Sequence, residues 1–555
     1  MNCVIETTVL IVGAGPVGLT LAIDLAWRGI DVTVAELRQP GEPPSVRCNQ
    51  ISARSMEIFR RLGLAKKLRA VGLPADYPND VVSRTTVTGI ELSRVTIPSR
   101  AERYTATEGP DTGWPTPEPP HRVNQTYFEP VLFAHAASQP LIRILNRTAV
   151  ENFTQDGRGG VIANARDLDS GERLSIACAY LVGCDGGKSI IRKAIGAKLA
   201  GTAEVQRVQS TCIRAPGLID LLPGKRAWMY RSLNPRRCAG VIAIDGRETW
   251  LINNQLYRGE FDSIDRDWAI RAILGVGSDF HYEVISKEDW IGRRLVADRF
   301  RDRRVFICGD AAHLWTPQAG YGMNAGIADA ANLSWLLAAT LKGWAPRAIL
   351  GSYEAERQPI TDQVSRLAMD MALKVMTQRR EIPAEVEWPG PVGDAMRARI
   401  GKEAYDLDIQ RQCCGGLNFG YFYENSPIIA YDGEPHPAYS MGDFTSSTVP
   451  GCRAPHLWLD HHRSLYDALG PDYSLLRFDP TANVSGVVEA AARRGVPLSV
   501  LDVDAPEARE LYARNLVLVR PDQHVAWRGD KEPPTPLDLI DLVRGARIMP
   551  ARKAA

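Results

Sequence analysis

The sequence predicts an α/β protein whose dinucleotide-binding core is interrupted by a mostly antiparallel sheet, and three observations carry that prediction. The chain begins TVLIVGAGPVGLTLAIDLAWRGIDVTVAE: a β-branched strand from Thr8 to Val12, the turn Gly13-x-Gly15-x-x-Gly18, a helix stopped at Gly29, and a strand from Val32 to Ala35 ending at Glu36. A second glycine-rich turn ahead of a helix, CGDAAHLWTPQAGYGMNAGIAD, occupies residues 308–329. Between the two, residues 205–290 fall into short runs such as RAWMYRSL, AGVIAID and ETWLINNQL, broken by Pro, Gly and Asp turns.

The first stretch has the full strand, turn, helix, strand context of a Rossmann-like nucleotide site. Gly13 allows the tight turn, Gly15 lets backbone approach a pyrophosphate, and Gly18 lets helix and strand pack closely, with Pro16 and Val17 between them. The helix N-terminus adds N–H donors and positive dipole. Glu36 is placed to accept from both ribose hydroxyls of an adenosine, and it would repel a 2′-phosphate, which disfavours NADP here. The fingerprint alone does not choose between FAD and NAD.

After Glu36 comes the proline-rich loop RQPGEPPSVRCNQ, then a helix from Ser52 to Leu62 stopped by Gly63. TTVTGIELSRVTI alternates as a strand does, and GPDTGWPTPEPPHR is too rich in proline for a central strand, so it reads as a covering loop. RVNQTYFEPVLFAHAA opens another helix, and strand-like segments at Ile142–Leu145 and Arg173–Val182 lead into GCDGGKSIIRKAIG. The strand RRVFICGD precedes a helix reaching about Lys342, with Ile327, Ala330, Leu337 and Leu341 at helical spacing. From Ser352 to about Lys374 a charged helix is interrupted by Pro359. The last part has a β, α, β, β, α order. The nucleotide domain is therefore expected at 1–80, 121–200 and 293–380, the sheet domain at 81–120 and 201–292, a linker at 381–430 and a C-terminal domain at 431–555.

Composition narrows the function classes. The 66 Lys and Arg balance 65 Asp and Glu, leaving no extended positive field for nucleic acid or anionic lipid, so a neutral small molecule or another protein is the expected partner. The ten cysteines lack metal or redox spacing, and Cys413 and Cys414 are adjacent; a reducing cytoplasm and no metal are expected. No stretch approaches the ~18 uninterrupted apolar residues of a membrane span.

GAGPVG at 13–18, CDGGKSIIR at 184–192 and the stretch from Cys308 together resemble the single-component FAD-dependent aromatic hydroxylases, the p-hydroxybenzoate hydroxylase and phenol hydroxylase superfamily. RSMEIFRRLG at 54–63 and TPEP at 116–119 are most similar to its 2-hydroxybiphenyl and nitrocatechol monooxygenase branch. The C-terminal part resembles that family's thioredoxin-like tail by element order and the phrase LVLVRPDQHVAWRG, and it reads as structural or as support for a homodimer. The resemblance implies one FAD held by both glycine turns. Its ADP end would lie on Gly13–Gly18 and Glu36, its ribitol hydroxyls on Asp310, and its ring over Gly320, Gly322, Met323 and Asn324. Arg47 and Gln125 would contact pyrophosphate or ring edge, and Asp185 and Gly186 both FAD and a transient NADPH or NADH, for which no second fingerprint exists.

The implied reaction is NAD(P)H reduction of FAD, O2 capture as a flavin C4a-hydroperoxide, and oxygen transfer to a phenolic or catecholic ring, with loss of a substituent such as nitro as a variant. Trp228, Tyr230, Trp250 and Trp315 are candidates for the dry substrate pocket, and Pro317 for the ring-facing turn. Where the biphenyl relatives carry ionisable residues this chain has Ser45-Val46 and Pro120, which leaves His121 and Tyr230 as candidate bases. His313 reads as a packing residue of its motif. The rivals are a Baeyer-Villiger or epoxidising enzyme acting on a polyketide, which would share the flavin site, and a non-enzymatic flavin sensor. A halogenase would need a WxWxIP pattern that is absent.

Overall fold

The computed structural model describes residues 3–155, 160–257, 260, 263–317, 320–380 and 382–548. The first sheet orders its strands Arg301–Asp302, Val305–Ile307, Arg173–Gly183, Cys3–Val12, Val32–Ala35, Ile142–Leu145, with Thr148–Gln155 and Val161–Asp167 paired outward from Arg173–Gly183. From Val305–Ile307 to Ile142–Leu145 every pairing is parallel. Val9, Leu10 and Ile11 are wholly buried, as a strand covered on both faces requires, which explains the unbroken apolar run. Val12, Gly183 and Ile307 end neighbouring strands, so the three motifs that follow them emerge side by side at the carboxyl edge of one sheet, where α/β sheets bind ligands.

The inserted domain is a nine-stranded sheet that also recruits Val81–Arg84 and Glu91–Val95. Its central run is Leu199–Arg214, Thr249–Leu256, Cys238–Ala243, Met229–Leu233, antiparallel throughout. Thr211, Ile252, Val241 and Tyr230 lie opposite one another and share a face. Thr211 Oγ1 accepts from Arg266 Nη1 at 2.7 Å, so this face lies under the helix Arg266–Leu274. Arg231, one residue along, faces the other way.

Two expectations are corrected. Residues 381–430 are not a plain linker, because they hold the 22-residue helix Pro391–Gln412. That helix buries Ile400 and Ala404 against Leu233, Cys238 and Val386, and a side chain at Gly401 would come within 2.2 Å of the Leu92 carbonyl oxygen. Its inner surface also includes Asp408, Arg411 and Gln412, so no apolar stripe announces it. Pro359 does not interrupt the preceding helix, which runs from Gly351 to Arg380.

The C-terminal strands order as Leu498–Asp502, Tyr473–Arg477, Leu516–Val519, Val525–Gly529, the first pair parallel and the rest antiparallel. With helices Ser485–Arg494, Pro506–Tyr512 and Pro536–Val543 this is the thioredoxin-like arrangement; the expected β, α, β, β, α order lacked the middle helix and one of the four strands. Tyr473 packs edge-on to Trp335 and Trp344, joining this domain to the nucleotide domain's core.

Candidate flavin and substrate site

Glycines shape the nucleotide end. Gly13 has φ +104°, and a Cβ there would lie 2.5 Å from the Cys184 carbonyl oxygen; at Gly18 it would lie 2.0 Å from the Gly13 oxygen. These two set the packing of strand, turn and helix. At Gly15 nothing of the protein lies within 4 Å, so the open space belongs to something else. The helix Pro16–Trp27 starts there with no side-chain cap, leaving its first N–H groups for an anion. Val17 fits between Gly309 and Gly326, so the fingerprint helix touches the second motif directly.

Glu36 Oε2 accepts from the Ala14 amide at 2.6 Å, and Oε1 accepts from Arg38 N and Nε. Burial alone would raise this carboxyl, but the Arg38 hydrogen bonds and charge outweigh it and hold it below the ordinary range, ionised and able to accept from sugar hydroxyls. Arg38 Nη1 donates to Glu129 at 2.7 Å, and Gln125 Nε2 donates to the other Glu129 oxygen at 2.6 Å. Sequence reasoning missed Arg38 and Glu129, which bring Glu36 and Gln125 into one chain of polar contacts. Across the groove, Arg47 pairs with Glu288 at 3.2 Å. Asp310 is exposed within it, and the surrounding walls push its carboxyl up against the pull of His313 and Arg47. Asp185 spends its oxygens on Ser189 Oγ and the Ile190 and Ile191 amides, capping a short helix, while Gly186 has open space at its Cβ position.

At the second motif, Gly320 has φ +63° and caps the helix Tyr321–Leu341 with its backbone alone; a Cβ there would strike Gln50 at 2.6 Å. Gly322 faces open space, whereas Met323 is buried. Asn324 is not free to reach a ligand: its Oδ1 accepts from the Ser52 amide at 2.9 Å and its Nδ2 donates to the Gly320 carbonyl at 2.7 Å. It ties the loop before Ser52 to the helix start. His313 Nε2 donates to Asp329 at 2.7 Å, and Arg357 Nε donates to the same carboxylate at 2.8 Å. Burial would raise Asp329, and Arg357 with His313 overrides it, so His313 is committed to this buried carboxylate.

The donor set fits FAD. Open cradles at Gly15, Gly186 and Gly322, two uncapped helix starts and an ionised Glu36 line the carboxyl edge of one sheet, with Arg47, Gln125 and Asp310 between the two ends.

The substrate candidates divide. Trp228 lies under the Arg122 guanidinium at 5.3 Å, and Arg122 donates to Gln50, which touches Gly320; these residues form the junction of sheet and nucleotide domain. Tyr230 and Trp250 are instead wholly buried on the face under the helix Arg266–Leu274, packed edge-to-face at 6.1 Å. Tyr230 Oη accepts from the Ala227 amide at 2.9 Å. Trp315 is stacked between His313 and Tyr321, and Pro317 is exposed. The face looking the other way carries an apolar row, Met229, Ile242, Leu251 and Cys212, and beside it a polar row, Arg231, Gly240, Asn253 and Ser210. Sequence reasoning named none of these.

His121 does not serve as a base. It is 4% exposed, its Nε2 donates to the Leu68 carbonyl at 2.9 Å, and burial together with Arg69 pushes its pKa well below the ordinary histidine value. A His121→Gln variant is expected to keep the wild-type pH–rate profile while losing about 1–3 kcal/mol of stability, the cost of an imperfectly satisfied carbonyl. A pH limb that vanished in the variant would restore the catalytic role.

Residues 6–368 match the FAD binding domain family, and residues 447–544 match the aromatic-ring hydroxylase C-terminal family. The FAD-dependent monooxygenase apdD of Emericella nidulans is 30% identical, covering 94% of this chain and 87% of its own. The tetracenomycin B2 monooxygenase-dioxygenase of Streptomyces olivaceus is 30% identical over 98% and 99% of the two chains. Among solved structures, the rebeccamycin biosynthetic enzyme RebC with reduced flavin superposes with a TM-score of 0.89 at 37% identity, covering 98% of this chain and 100% of that one. No helix among the described residues is long and apolar enough to cross a membrane, and no cluster among them could hold a metal ion.

Proposed function

Because the chain belongs to the FAD binding domain family and is an FAD-dependent monooxygenase, we propose that it hydroxylates a phenolic ring carried by a multi-ring aromatic substrate. The observation that supports this most is the shape of the domain junction. Three glycine motifs meet at one sheet edge, and facing them is a sheet surface with an apolar row beside a polar one. Bound FAD, reduced by NAD(P)H, supplies the oxygen-activating chemistry. The protein's part is placement and dryness. Met229, Ile242 and Leu251 hold an aromatic ring by apolar contact and exclude water, and the uncapped start of the helix Tyr321–Leu341 stabilises negative charge beside it.

The relatives support both size classes of substrate. Phenol 2-monooxygenase of Pseudomonas and 4-methyl-5-nitrocatechol 5-monooxygenase of Burkholderia match nearly full length at 26% and 29% identity. Aklavinone 12-hydroxylase RdmE of Streptomyces purpurascens matches at 30%, and the 37% match to RebC favours the larger scaffold. Expulsion of nitro and the Baeyer-Villiger outcome are narrower alternatives that product analysis separates. Purified protein is expected to be yellow and to consume NADH or NADPH faster when naphthols or anthraquinones are added, with a hydroxylated product. Reductant consumption unmoved by any of these compounds would favour a flavin sensor instead.

A further inference from the structure

Two cysteines that are far apart in sequence end side by side at the nucleotide edge. Cys184 follows the strand Arg173–Gly183 and Cys308 follows Val305–Ile307, and these strands run parallel with Gly183 opposite Ile307. The ladder continues one step further, because the Cys308 amide donates to the Gly183 carbonyl at 3.0 Å. The two cysteines are therefore neighbours in register, and adjacent strands lie about 4.8 Å apart. That spacing falls inside the Cα separation of about 4.4–6.8 Å that a disulfide spans.

Both side chains leave the sheet on the same face. Cys184 Cβ lies 3.3 Å from where a Cβ at Gly18 would sit, on the helix Pro16–Trp27, and Cys308 Sγ lies 3.8 Å from the Gly326 carbonyl oxygen, on the helix Tyr321–Leu341. Between those helices the two thiols meet. Burial pushes the Cys308 thiol well above its ordinary range, and a hydrogen bond with the Cys184 thiol pushes it further the same way. Cys308 is 1% exposed, whereas Cys184 is only half-buried. An accessible thiol that is oxidised first, with a protonated thiol held against it to resolve the product, is the arrangement of a redox pair. Closeness in sequence does not provide this: Cys413 and Cys414 are adjacent, yet they pack into different apolar clusters.

We propose that Cys184 and Cys308 are a redox pair that hydrogen peroxide closes into a disulfide across the nucleotide edge. Peroxide, the two-electron reduction product of the O2 that a monooxygenase consumes, gives one oxygen to the Cys184 thiol to form a sulfenic acid and leaves as water. The Cys308 sulfur then displaces the sulfenic hydroxyl, which departs with the Cys308 proton as a second water. Two thiols lose two electrons and two protons, and one peroxide becomes two waters. The new bond would join the residue packed against Gly13 and Gly18 to the one that precedes Gly309, itself packed against Val17, and so fix the two glycine motifs to each other.

The test treats the FAD-loaded protein with hydrogen peroxide, alkylates the remaining thiols under denaturing conditions, and maps the unreduced digest by mass spectrometry. The expected product is a peptide pair joining Cys184 to Cys308, two hydrogens lighter than its separate parts, which dithiothreitol splits. Cys308→Ala should lose the cross-link and carry Cys184 on to sulfinic acid, which dithiothreitol does not reverse. Cys184→Ala should leave Cys308 reduced at the same peroxide dose. Full alkylation of both thiols in treated wild type, uncrosslinked sulfinic acid at Cys184 in wild type, a cross-link from either cysteine to a different one, or oxidation of Cys308 in Cys184→Ala would each overturn the proposal. The wild-type map decides by itself if a variant does not fold, and no aromatic substrate is present, so the outcome is independent of the ring-hydroxylation reading.

Discussion

Gly15→Val is expected to give a folded, colourless protein. Gly15 has φ −73° and ψ 178°, extended backbone that any residue adopts, and nothing lies within 4 Å of its Cβ position. A side chain there meets no protein atom at its Cβ and needs no strained backbone, and a valine projects into the space at the start of the helix Pro16–Trp27 where the pyrophosphate of FAD would lie. Each tenfold loss of FAD affinity corresponds to about 1.4 kcal/mol, and a loss of at least two such steps is expected. Gly18→Ala should behave in the opposite way. Its Cβ would lie 2.0 Å from the Gly13 oxygen and 3.3 Å from Cys184 Cβ, so strand and helix must separate, and overpacking of this kind costs about 1–3 kcal/mol of stability whether or not FAD is present. Thermal unfolding of the FAD-free proteins and FAD fluorescence titration separate the two effects. Wild-type FAD affinity in Gly15→Val would move the pyrophosphate elsewhere.

That contrast explains which parts of the site were legible in the sequence. Gly13, Gly18 and Gly320 are fixed by local geometry, a positive φ or a backbone approach that only glycine tolerates, and local geometry leaves a mark in a short motif. The meeting of the first and second motifs was legible only through the family resemblance. Its physical cause is that Val305–Ile307 pairs with Leu181–Gly183, a strand order that no window of sequence contains. The two faces of the inserted sheet are hard to read for a different reason. Alternation reveals which residues of Met229–Leu233 share a face, but not what covers each face, and Tyr230 lies on the side under the helix Arg266–Leu274. Arg231, its neighbour, faces the other way and pairs with Asp408 of the helix Pro391–Gln412. Asn324 shows a third case: its place in the motif is visible, while its actual partners, Ser52 and Gly320, come partly from a distant loop.

Replacing Arg520 by methionine is expected to have the largest effect on the fold. Arg520 is wholly buried, donates through Nη1 and Nη2 to the two oxygens of Glu356 at 2.6 and 2.8 Å, and donates to Asp522 at 2.8 Å. Trp335 and Tyr423 lie within 5.1 and 4.8 Å of its guanidinium carbon. Glu356 belongs to the long helix Gly351–Arg380 and Arg520 to the C-terminal domain, so this side chain ties the two together through buried ion pairs. Removing it leaves two buried carboxylates without their cation, for which about 3–5 kcal/mol is the expected loss, against a total stability of about 5–15 kcal/mol. The triple change Arg520→Met, Glu356→Gln, Asp522→Asn removes the stranded charges and should recover most of it. Acid separates this account from simple loss of packing. In the wild type, burial would raise the Asp522 carboxyl but Arg520 and His524 hold it well below its ordinary value, so its contribution is present above about pH 4 and is lost as pH falls further. In Arg520→Met the same carboxyl, now buried without Arg520, should titrate above its unfolded value. Its penalty is then relieved as pH falls, and the stability gap between variant and wild type narrows from neutral pH toward pH ~4. Urea unfolding across that range measures the gap. A gap that stays constant with pH would assign the loss to packing against Trp335 and Tyr423 rather than to the stranded carboxylates.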